Sequence, residues 1–535
     1  MVEIDIRILV IVTVIAIAAY KWLTKNNNYF HEKPIPSMAA KPLLGSTGSL
    51  VLRKYSLSEF INQIYNKFPN VKVFGLFDAM TPVFIIRDPE LIKKITVKDF
   101  DHFIDHRPTF GDSNADNPHL LFSKGLFALN GEKWKDMRTT LSPAFTGSKM
   151  RQMFELIIEC CENVTNYHLM KPQNSLEVAL GNLFTRLGTD VIASCAFGFK
   201  VDSFGEQDNE FYKQGRKMMR FDRLSIALKI FAFKFFSKTM SRLGIDLIDR
   251  EQAQYFRSII ISAIKERQTR GIVRNDMINL LIQAKNGVLR HQQEKEQNEA
   301  FATVQEYDVG KSTAANSMTE NEMIAQAFVF FLAGFETVST TLTFLVHDLV
   351  VHQDIQQNLF KEILETNKNL NGKKLNYDTL QKMRYMDMVV SESMRIRPVA
   401  AFLDRLCTKD YELDDGEGLR FSIEKGTAIW IPTQGIHLDP KYYPEPTKFN
   451  PERFNDENKG SINPFTYLPF GSGPRNCIGN RFALVEIKSV IYHLLLHFSF
   501  ELSPKTQVPL KLRKGFTILA AEGEVYVNMI RRQMQ

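Results

Sequence analysis

Apolar and polar residues follow four textures along the chain, and each predicts a different kind of element. The first is a run from Ile8 to Tyr20 that carries no charge, with Glu3, Asp5 and Arg7 before it and Lys21 and Lys25 after it. A spanning helix needs about 20 residues. Trp22 and Leu23 extend the run, and lysine side chains reaching back to the lipid–water boundary supply most of the remaining length. Residues 1–25 are therefore expected to form a single uncleaved N-terminal transmembrane anchor. Ala16-Ile17-Ala18 has the small-x-small form of a cleavage site, but the acidic start and the more basic following flank oppose a signal peptide. Glu3, Asp5 and the lack of Arg and Ser enrichment likewise oppose a mitochondrial transit peptide. The basic flank puts the bulk of the chain on the cytosolic side. Residues 26–45, with Asn26 to Asn28, Pro34, Pro36 and Pro42, read as a polar linker stiffened by proline.

The second texture, over most of residues 130–285, has the 3.6-residue period of packed helices. It follows a strand signal at Val83 to Ile86 and a proline-initiated helix signal at Asp88-Pro89-Glu90-Leu91. Within it, Phe221 to Lys238 interleaves Phe231, Phe233, Phe235 and Phe236 with Lys229, Lys234 and Lys238. That pattern suits either a core helix with solvated lysines or a patch dipping into lipid beside the anchor. The third texture is polar: residues 291–317 are Gln/Glu/Lys-rich and read as a mobile surface connector. The fourth starts near residue 400, where short strand candidates (428–431 and 525–527) alternate with loops holding Pro440, Pro444, Pro446 and Pro451. The sum is a mainly α chain with a smaller β-rich region, an α+β architecture.

One segment stands apart. Thr319-Glu320-Asn321-Glu322 has the form of a capping box, and it opens an apolar run that reaches Val350 without a proline. That predicts roughly 30 residues, or about 45 Å, of helix, and a helix so apolar on all sides must be central. In its middle lies Ala333-Gly334-Phe335-Glu336-Thr337. A glycine inside a helix costs about 1 kcal/mol relative to alanine, and a buried charged Glu costs several more unless it is hydrated or paired. Two local violations side by side mark a functional site, where small residues would let something planar approach the backbone.

Composition narrows the choices. With 44% hydrophobic and 24% charged residues, the 535-residue chain can bury a large core and is neither disordered, collagen-like nor multi-pass. A net charge of +7 is too dilute for a nucleic-acid binder, and fits contact with an anionic membrane face or an acidic partner. The cysteines, Cys160, Cys161, Cys195, Cys407 and Cys477, form no CxxC pair, which excludes a disulfide scaffold or four-Cys zinc module and points to a reducing compartment.

Four of these thiols lack a distinctive setting and read as buried. Cys477 differs. It ends the Gly/Pro-rich stretch Pro469 to Gly479, just before a helix-like run from Arg481 to Leu496. A helix start and nearby N–H groups lower a thiol's pKa and favour metal ligation, and Arg475 could pair with a carboxylate on a ligand. A single anionic sulfur is wrong for structural zinc and suits thiolate-ligated haem iron. The histidine pairs His493/His497 and His102/His106 lack the further ligands of a zinc site, and His437 reads as structural.

Phe470, Gly473, Arg475, Cys477 and Gly479 match every fixed position of the pattern Phe-x-x-Gly-x-Arg-x-Cys-x-Gly. The chain resembles the cytochrome P450 family in that loop, in Glu392 to Arg395 (Glu-x-x-Arg), in Pro451-Glu452-Arg453-Phe454, and in the oxygen-activation segment Ala333 to Thr337. The motifs fall in family order and the likeness covers nearly the whole chain, closest in texture to insect microsomal detoxification members. It implies a cytochrome P450-like fold with a long central helix, residues 46–535 forming the haem-binding catalytic domain. It also implies haem b (iron protoporphyrin IX), with Cys477 as axial ligand and Glu336 and Thr337 as the acid–alcohol pair that relays protons. Trp134, Arg138, Arg405, Phe470 and Arg475 would contact haem, and Glu392, Arg395 and Arg453 would form a buried ionic lock. Phe110, Phe122, Phe127, Phe331, Ala333, Val399, Phe402 and Phe516 fall in the family's substrate-contact windows. Val338 departs from the family, which often has Thr or Ser there.

With 41 phenylalanines against 3 tryptophans, an apolar aromatic pocket and a lipophilic substrate are expected. The function implied is a monooxygenase acting on xenobiotics, insecticides, plant toxins or endogenous lipids. Its electrons would come from NADPH through NADPH–cytochrome P450 reductase, with cytochrome b5 as a further partner and Lys133 and Lys135 as docking charges. It would sit in the endoplasmic reticulum membrane with the catalytic domain on the cytosolic face. Two other classes compete: a haem–thiolate isomerase or dehydratase, which needs no proton relay, and a non-catalytic membrane-bound protein that sequesters ligands.

Overall fold

The computed structural model describes residues 6–108, 120–219, 224–287, 300–304, 307, 318–515 and 518–533. The chain divides into two compact units, one of Met1–Arg107, Ala401–Ile436 and Lys514–Ile518, and a larger one of Pro108–Ala400, His437–Arg513 and Leu519–Gln535. The strands in chain order are β1 Val73–Asp78, β2 Thr81–Ile86, β3 Ser175–Ala179, β4 Leu403–Leu406, β5 Tyr411–Asp414, β6 Arg420–Ile423, β7 Ala428–Ile431, β8 Phe498–Leu502 and β9 Tyr526–Arg531.

The smaller unit is built on a sheet of order β1-β2-β7-β4. β1 and β2 form an antiparallel hairpin, β2 pairs in parallel with β7 (Val83 opposite Ala428), and β7 pairs antiparallel with β4 (Trp430 opposite Asp404). β2 and β7 fall where the apolar runs predicted strands, and their buried side chains carry the core. Asp88 caps the following short helix, its Oδ1 accepting from the N–H groups of Glu90 and Leu91 at 3.0 Å each. The Leu57–Lys67 helix opens with a capping box between Ser56 and Glu59 and lays Phe60, Ile61 and Ile64 against Phe74, Leu76, Val83 and Trp430. Residues 29–46 do not hang free: Met38 N–H donates to Gly75 O at 2.8 Å, and Phe30 is buried against Phe77 and Phe84. Ahead of them the Ile6–Thr24 helix carries exposed apolar side chains, among them Leu9 at 57% and Ile15 at 61%.

The larger unit is organised around the Glu320–Val351 helix, 32 residues long. Its predicted capping box is present: Thr319 Oγ1 accepts from Glu322 N–H at 3.2 Å, and Glu322 Oε2 accepts from Thr319 N–H at 2.9 Å. By length and composition this helix could cross a membrane, but 67% of its apolar window is buried inside the protein. The helices Leu180–Ile192, Arg250–Arg270, Arg384–Ile396 and Asn480–His497 pack around it. A sheet of order β3-β9-β8, antiparallel throughout, completes the unit.

The Leu180–Ile192 helix passes so close that a Cβ on Gly334 would lie 2.5 Å from Ile192 Cδ1. Gly334 therefore serves helix packing and not, as its place in the motif suggested, approach of a flat ligand. Ser339 ties the same two helices, its hydroxyl donating to Phe184 O at 3.0 Å. Gly334→Ala is expected to lower thermal stability by about 1–2 kcal/mol, overpacking outweighing the gain in helix propensity. Adding Ile192→Val, which removes the crowding atom, should recover at least half of that loss in thermal unfolding; no recovery would contradict the packing reason.

One other expectation changes, and a second stays open. Residues 300–304, within the polar connector, are seated on the body: Phe301 N–H donates to Asp387 at 2.8 Å and its ring lies 5.0 Å from Phe454 and 5.3 Å from Tyr467. One aromatic side chain is enough to dock a polar segment where a slot exists. The Phe/Lys segment is helical over Leu224–Arg242 with a kink at Phe236, Phe233 being buried beside Met240 and Leu247 while Leu228 and Phe236 stay exposed. Phe221 lies outside the described residues.

Glu486, on the Asn480–His497 helix, is fully buried, and among the described residues neither carboxyl oxygen has a hydrogen-bond partner. Burial raises its pKa to about 8. A carboxyl whose folded pKa lies above its unfolded value stabilises fully below the unfolded pKa and loses that contribution as pH rises through the folded one. Thermal stability should therefore fall between about pH 5 and pH 9. Glu486→Gln should flatten much of that slope; an unchanged slope would place the titration elsewhere.

Candidate active site

The Cys477 loop is a tight reversal. Cys477 N–H donates to Phe470 O at 2.8 Å and Asn476 N–H to Gly473 O at 2.9 Å. Gly471 at φ +83° and Gly473 at φ +71° take up backbone conformations that side chains disfavour. The Asn480–His497 helix begins three residues later, and Asn480 Nδ2 donates back to Cys477 O at 2.8 Å. Of the five cysteines Cys477 alone is exposed. Its thiol is nevertheless enclosed deeply enough that burial pushes its pKa up, against the Gly479 N–H and the Arg138 charge, which pull it down. The Gly479 N–H and the Arg138 charge act in the direction the sequence predicts, and burial opposes them.

Three more predicted residues converge on this loop. Trp134 and Arg138 share one face of the Gly131–Leu141 helix and both are buried. Arg138 donates to Asn476 twice, Nη1 to the carbonyl at 2.9 Å and Nη2 to Oδ1 at 2.7 Å. Arg475 stacks over the Trp134 ring at 4.1 Å and donates to Leu129 O at 2.7 Å. The residues that make this assembly possible include one the sequence does not flag. Buried Gln326 on the long helix accepts from Leu126 N–H at 2.8 Å and donates to Lys124 O at 3.0 Å. It clips the segment before Trp134 to the long helix some 200 positions away, a pairing with no local sequence signal.

On the long helix, Ala333 is exposed although its neighbours in sequence are largely buried. Thr337, one turn on, donates its hydroxyl to Ala333 O at 2.7 Å. Glu336 lines a separate polar cavity with Arg216 and Arg513. Burial raises its pKa, against the pull of Arg513 and Arg216. Val338, the departure from the family pattern, is buried.

The structure brings Glu392, Arg395 and Arg453 together. Glu392 Oε2 accepts from Arg395 Nε at 2.7 Å, and its Oε1 accepts from Arg395 Nη2 at 2.9 Å, Arg453 Nε at 3.3 Å and Asn450 N–H at 2.8 Å. Arg395 Nη1 also donates to His437 O at 2.6 Å. His437 Nδ1–H donates to Arg395 O at 3.0 Å, leaving Nε2 to accept from Leu468 N–H at 2.8 Å. Burial, reinforced by the Arg395 charge, lowers the pKa of His437 to about 3, which keeps the acceptor nitrogen free of a proton.

Arg405 lies in the smaller unit on β4, buried, its Nη1 donating to Asp404 O at 2.7 Å. Phe402, in the same unit, packs on Trp430 at 4.2 Å. Phe331 is not a pocket residue: it is 0% exposed, with its ring 4.4 Å from Phe256, 5.3 Å from Phe211 and 5.4 Å from Phe335. Helical spacing put it on the face packed against neighbouring helices. Phe127 is 43% exposed, Phe122 is half-buried with its ring 6.4 Å away, and Val399 is half-buried. Phe110 and Phe516 lie outside the described residues. Lys135 pairs with Glu132 at 3.3 Å, which weakens its expected role as a docking charge.

The sequence model of the cytochrome P450 family matches residues 36–529. A probable cytochrome P450 9f2 of Drosophila melanogaster is 41% identical over 97% of this chain and 98% of its own length. Cytochrome P450 9e2 of Blattella germanica is also 41% identical, over 98% of both chains. Cytochrome P450 3A2 of Rattus norvegicus is 34% identical over 98% of this chain and 96% of its own. The likeness to insect members expected from the texture of the sequence is thus found along nearly the full length, and the chain belongs to the cytochrome P450 family of haem-dependent monooxygenases.

Proposed function

We propose that this enzyme inserts one oxygen atom from dioxygen into lipophilic small molecules, xenobiotics or endogenous lipids, drawing electrons from NADPH through a membrane-bound reductase, with cytochrome b5 as an accessory donor. The observation that carries this reading is the convergence of Trp134 and Arg138 on the loop that holds Arg475 and Cys477, the one exposed cysteine of the five. The residues fit haem: one sulfur that belongs to no cluster of His, Cys, Asp or Glu among the described residues, which suits iron and not structural zinc, with two guanidinium groups and an indole beside it to take carboxylates. Cys477 would be the axial ligand, Arg138, Arg475 and Trp134 the carboxylate partners, and Phe470 the residue that closes the loop. When bound, haem supplies the iron that takes up dioxygen and activates it.

The chain's own groups do the rest. The Thr337 hydroxyl, on the exposed side of the long helix one turn after Ala333, hands a proton toward the reacting oxygen. Glu336, held between burial and two arginines, refills it from the polar cavity. Ala333, Phe122, Phe127 and Val399 present apolar surface to substrate. The buried Glu392–Arg395–Arg453 cluster fixes the loop. The apolar exposed Ile6–Thr24 helix anchors the protein in the endoplasmic reticulum membrane, Lys21 and Lys25 keeping residues 46–535 cytosolic. The exposed Leu228 and Phe236 would dip into lipid.

Full-length protein reconstituted with reductase in lipid vesicles tests this. NADPH-dependent incorporation of one labelled oxygen atom from dioxygen into lipophilic substrates is the expected result. Rearrangement of an organic peroxide with no need for reductase would replace it with the isomerase reading. Retention of ligands unchanged under the same conditions would leave a sequestering protein.

A further inference from the structure

The cavity that Glu336 enters has features that proton delivery alone does not require. It measures about 520 Å³, within the range of small-molecule sites, and lies wholly in the larger unit. Arg216, Lys217 and Arg513 line it together with the carboxylates Glu336 and Glu524. Among the described residues no ion pair joins any of these five side chains. The two carboxylates are accounted for otherwise. Glu524 Oε2 lies beside the first turn of the Leu180–Ile192 helix, where a Cβ on Gly181 would come 2.9 Å from it, a place where the helix dipole favours a carboxylate. Glu336 is pushed by burial toward its neutral form. Three cations thus line one half-open cavity against two carboxylates, none of them joined in an ion pair, beside the apolar side chains of Phe344 and Val525.

We propose that this cavity is a binding site for a small organic anion, with a carboxylate or phosphate-ester head held by Arg216, Lys217 and Arg513 and a short apolar body against Phe344. Guanidinium groups recognise either head through charge-assisted hydrogen bonds, which are about twice as strong as neutral ones. The site is separate from the Cys477 loop, and Glu336 lines it, so an occupant would act on the charge of that carboxyl.

The test is calorimetric titration of the full-length, haem-loaded protein in phosphatidylcholine nanodiscs, in phosphate-free buffer. One arm uses phenyl phosphate and the other hexanoate. Saturable binding of one equivalent is expected in at least one arm, and the responding arm identifies the head group. Arg513→Gln and Arg216→Gln should each weaken it about tenfold or more, with the haem absorption spectrum unchanged as the check on folding. Lys361→Gln, an exposed charge outside the cavity, should bind as the parent does. No saturable heat with either probe, or equal affinity in both arginine variants, would overturn the proposal. Binding is read without turnover, so this outcome is independent of the proton relay proposed for Glu336 and Thr337.

Discussion

Glu392→Ala is expected to give protein that does not hold haem. The carboxylate is 0% exposed and accepts from two guanidinium groups and the Asn450 N–H. Its removal leaves Arg395 buried without its counter-charge, at a cost of about 3–5 kcal/mol. The damage has a route to the thiol. Arg395 and His437 exchange backbone-directed hydrogen bonds, and His437 Nε2 then holds Leu468 N–H, two residues before the Phe470 carbonyl that accepts from Cys477. Loosening Glu392 therefore loosens the loop through three residues without touching it. Haem absorbance per mole of purified protein should collapse, with a lowered unfolding temperature. Glu392→Gln, which keeps shape and some acceptor capacity, should fall between. Stoichiometric haem and parental stability in Glu392→Ala would remove the lock from the mechanism.

Thr337→Ala is expected to leave haem content and substrate affinity near parental while product formation falls about 100-fold, the usual order for losing a positioned proton donor. The hydroxyl is engaged at 2.7 Å with the Ala333 carbonyl, inside the helix's own turn, so its loss opens no large cavity and leaves no buried group unpaired. NADPH consumption should persist with hydrogen peroxide as its product, because reduced oxygen that is not protonated in place leaves the site. Val338 offers no hydroxyl to substitute, and the Ser339 hydroxyl faces the Leu180–Ile192 helix. Parental product yield in Thr337→Ala would show that another group delivers the proton.

Features written in contiguous residues were readable before the fold. The Thr319–Glu322 box, the apolar helix behind it, the Asp88 cap and strands β2 and β7 all depend on periodicity or on groups three or four positions apart. The fixed residues of the Cys477 loop were readable for the same reason, since the turn geometry demands glycine at given positions. What could not be read depends on partners distant in sequence. Gln326 is an unremarkable glutamine until Leu126 reaches it. Gly334 looks like part of a ligand face until Ile192 fills the space beside it. Phe331 looks like pocket lining until Phe211 and Phe256 close around it. Arg513 gains meaning only from Glu336, brought beside it by the turn before β9.

The most direct measurement is the absorption difference spectrum of the reduced, carbon-monoxide-treated full-length protein beside its Cys477→Ser variant. A red-shifted band characteristic of thiolate-ligated haem in the parent, absent in Cys477→Ser, is the predicted result. A parent band at the blue-shifted position of a neutral or displaced sulfur, or a red-shifted band that survives Cys477→Ser, would contradict Cys477 as the ligand.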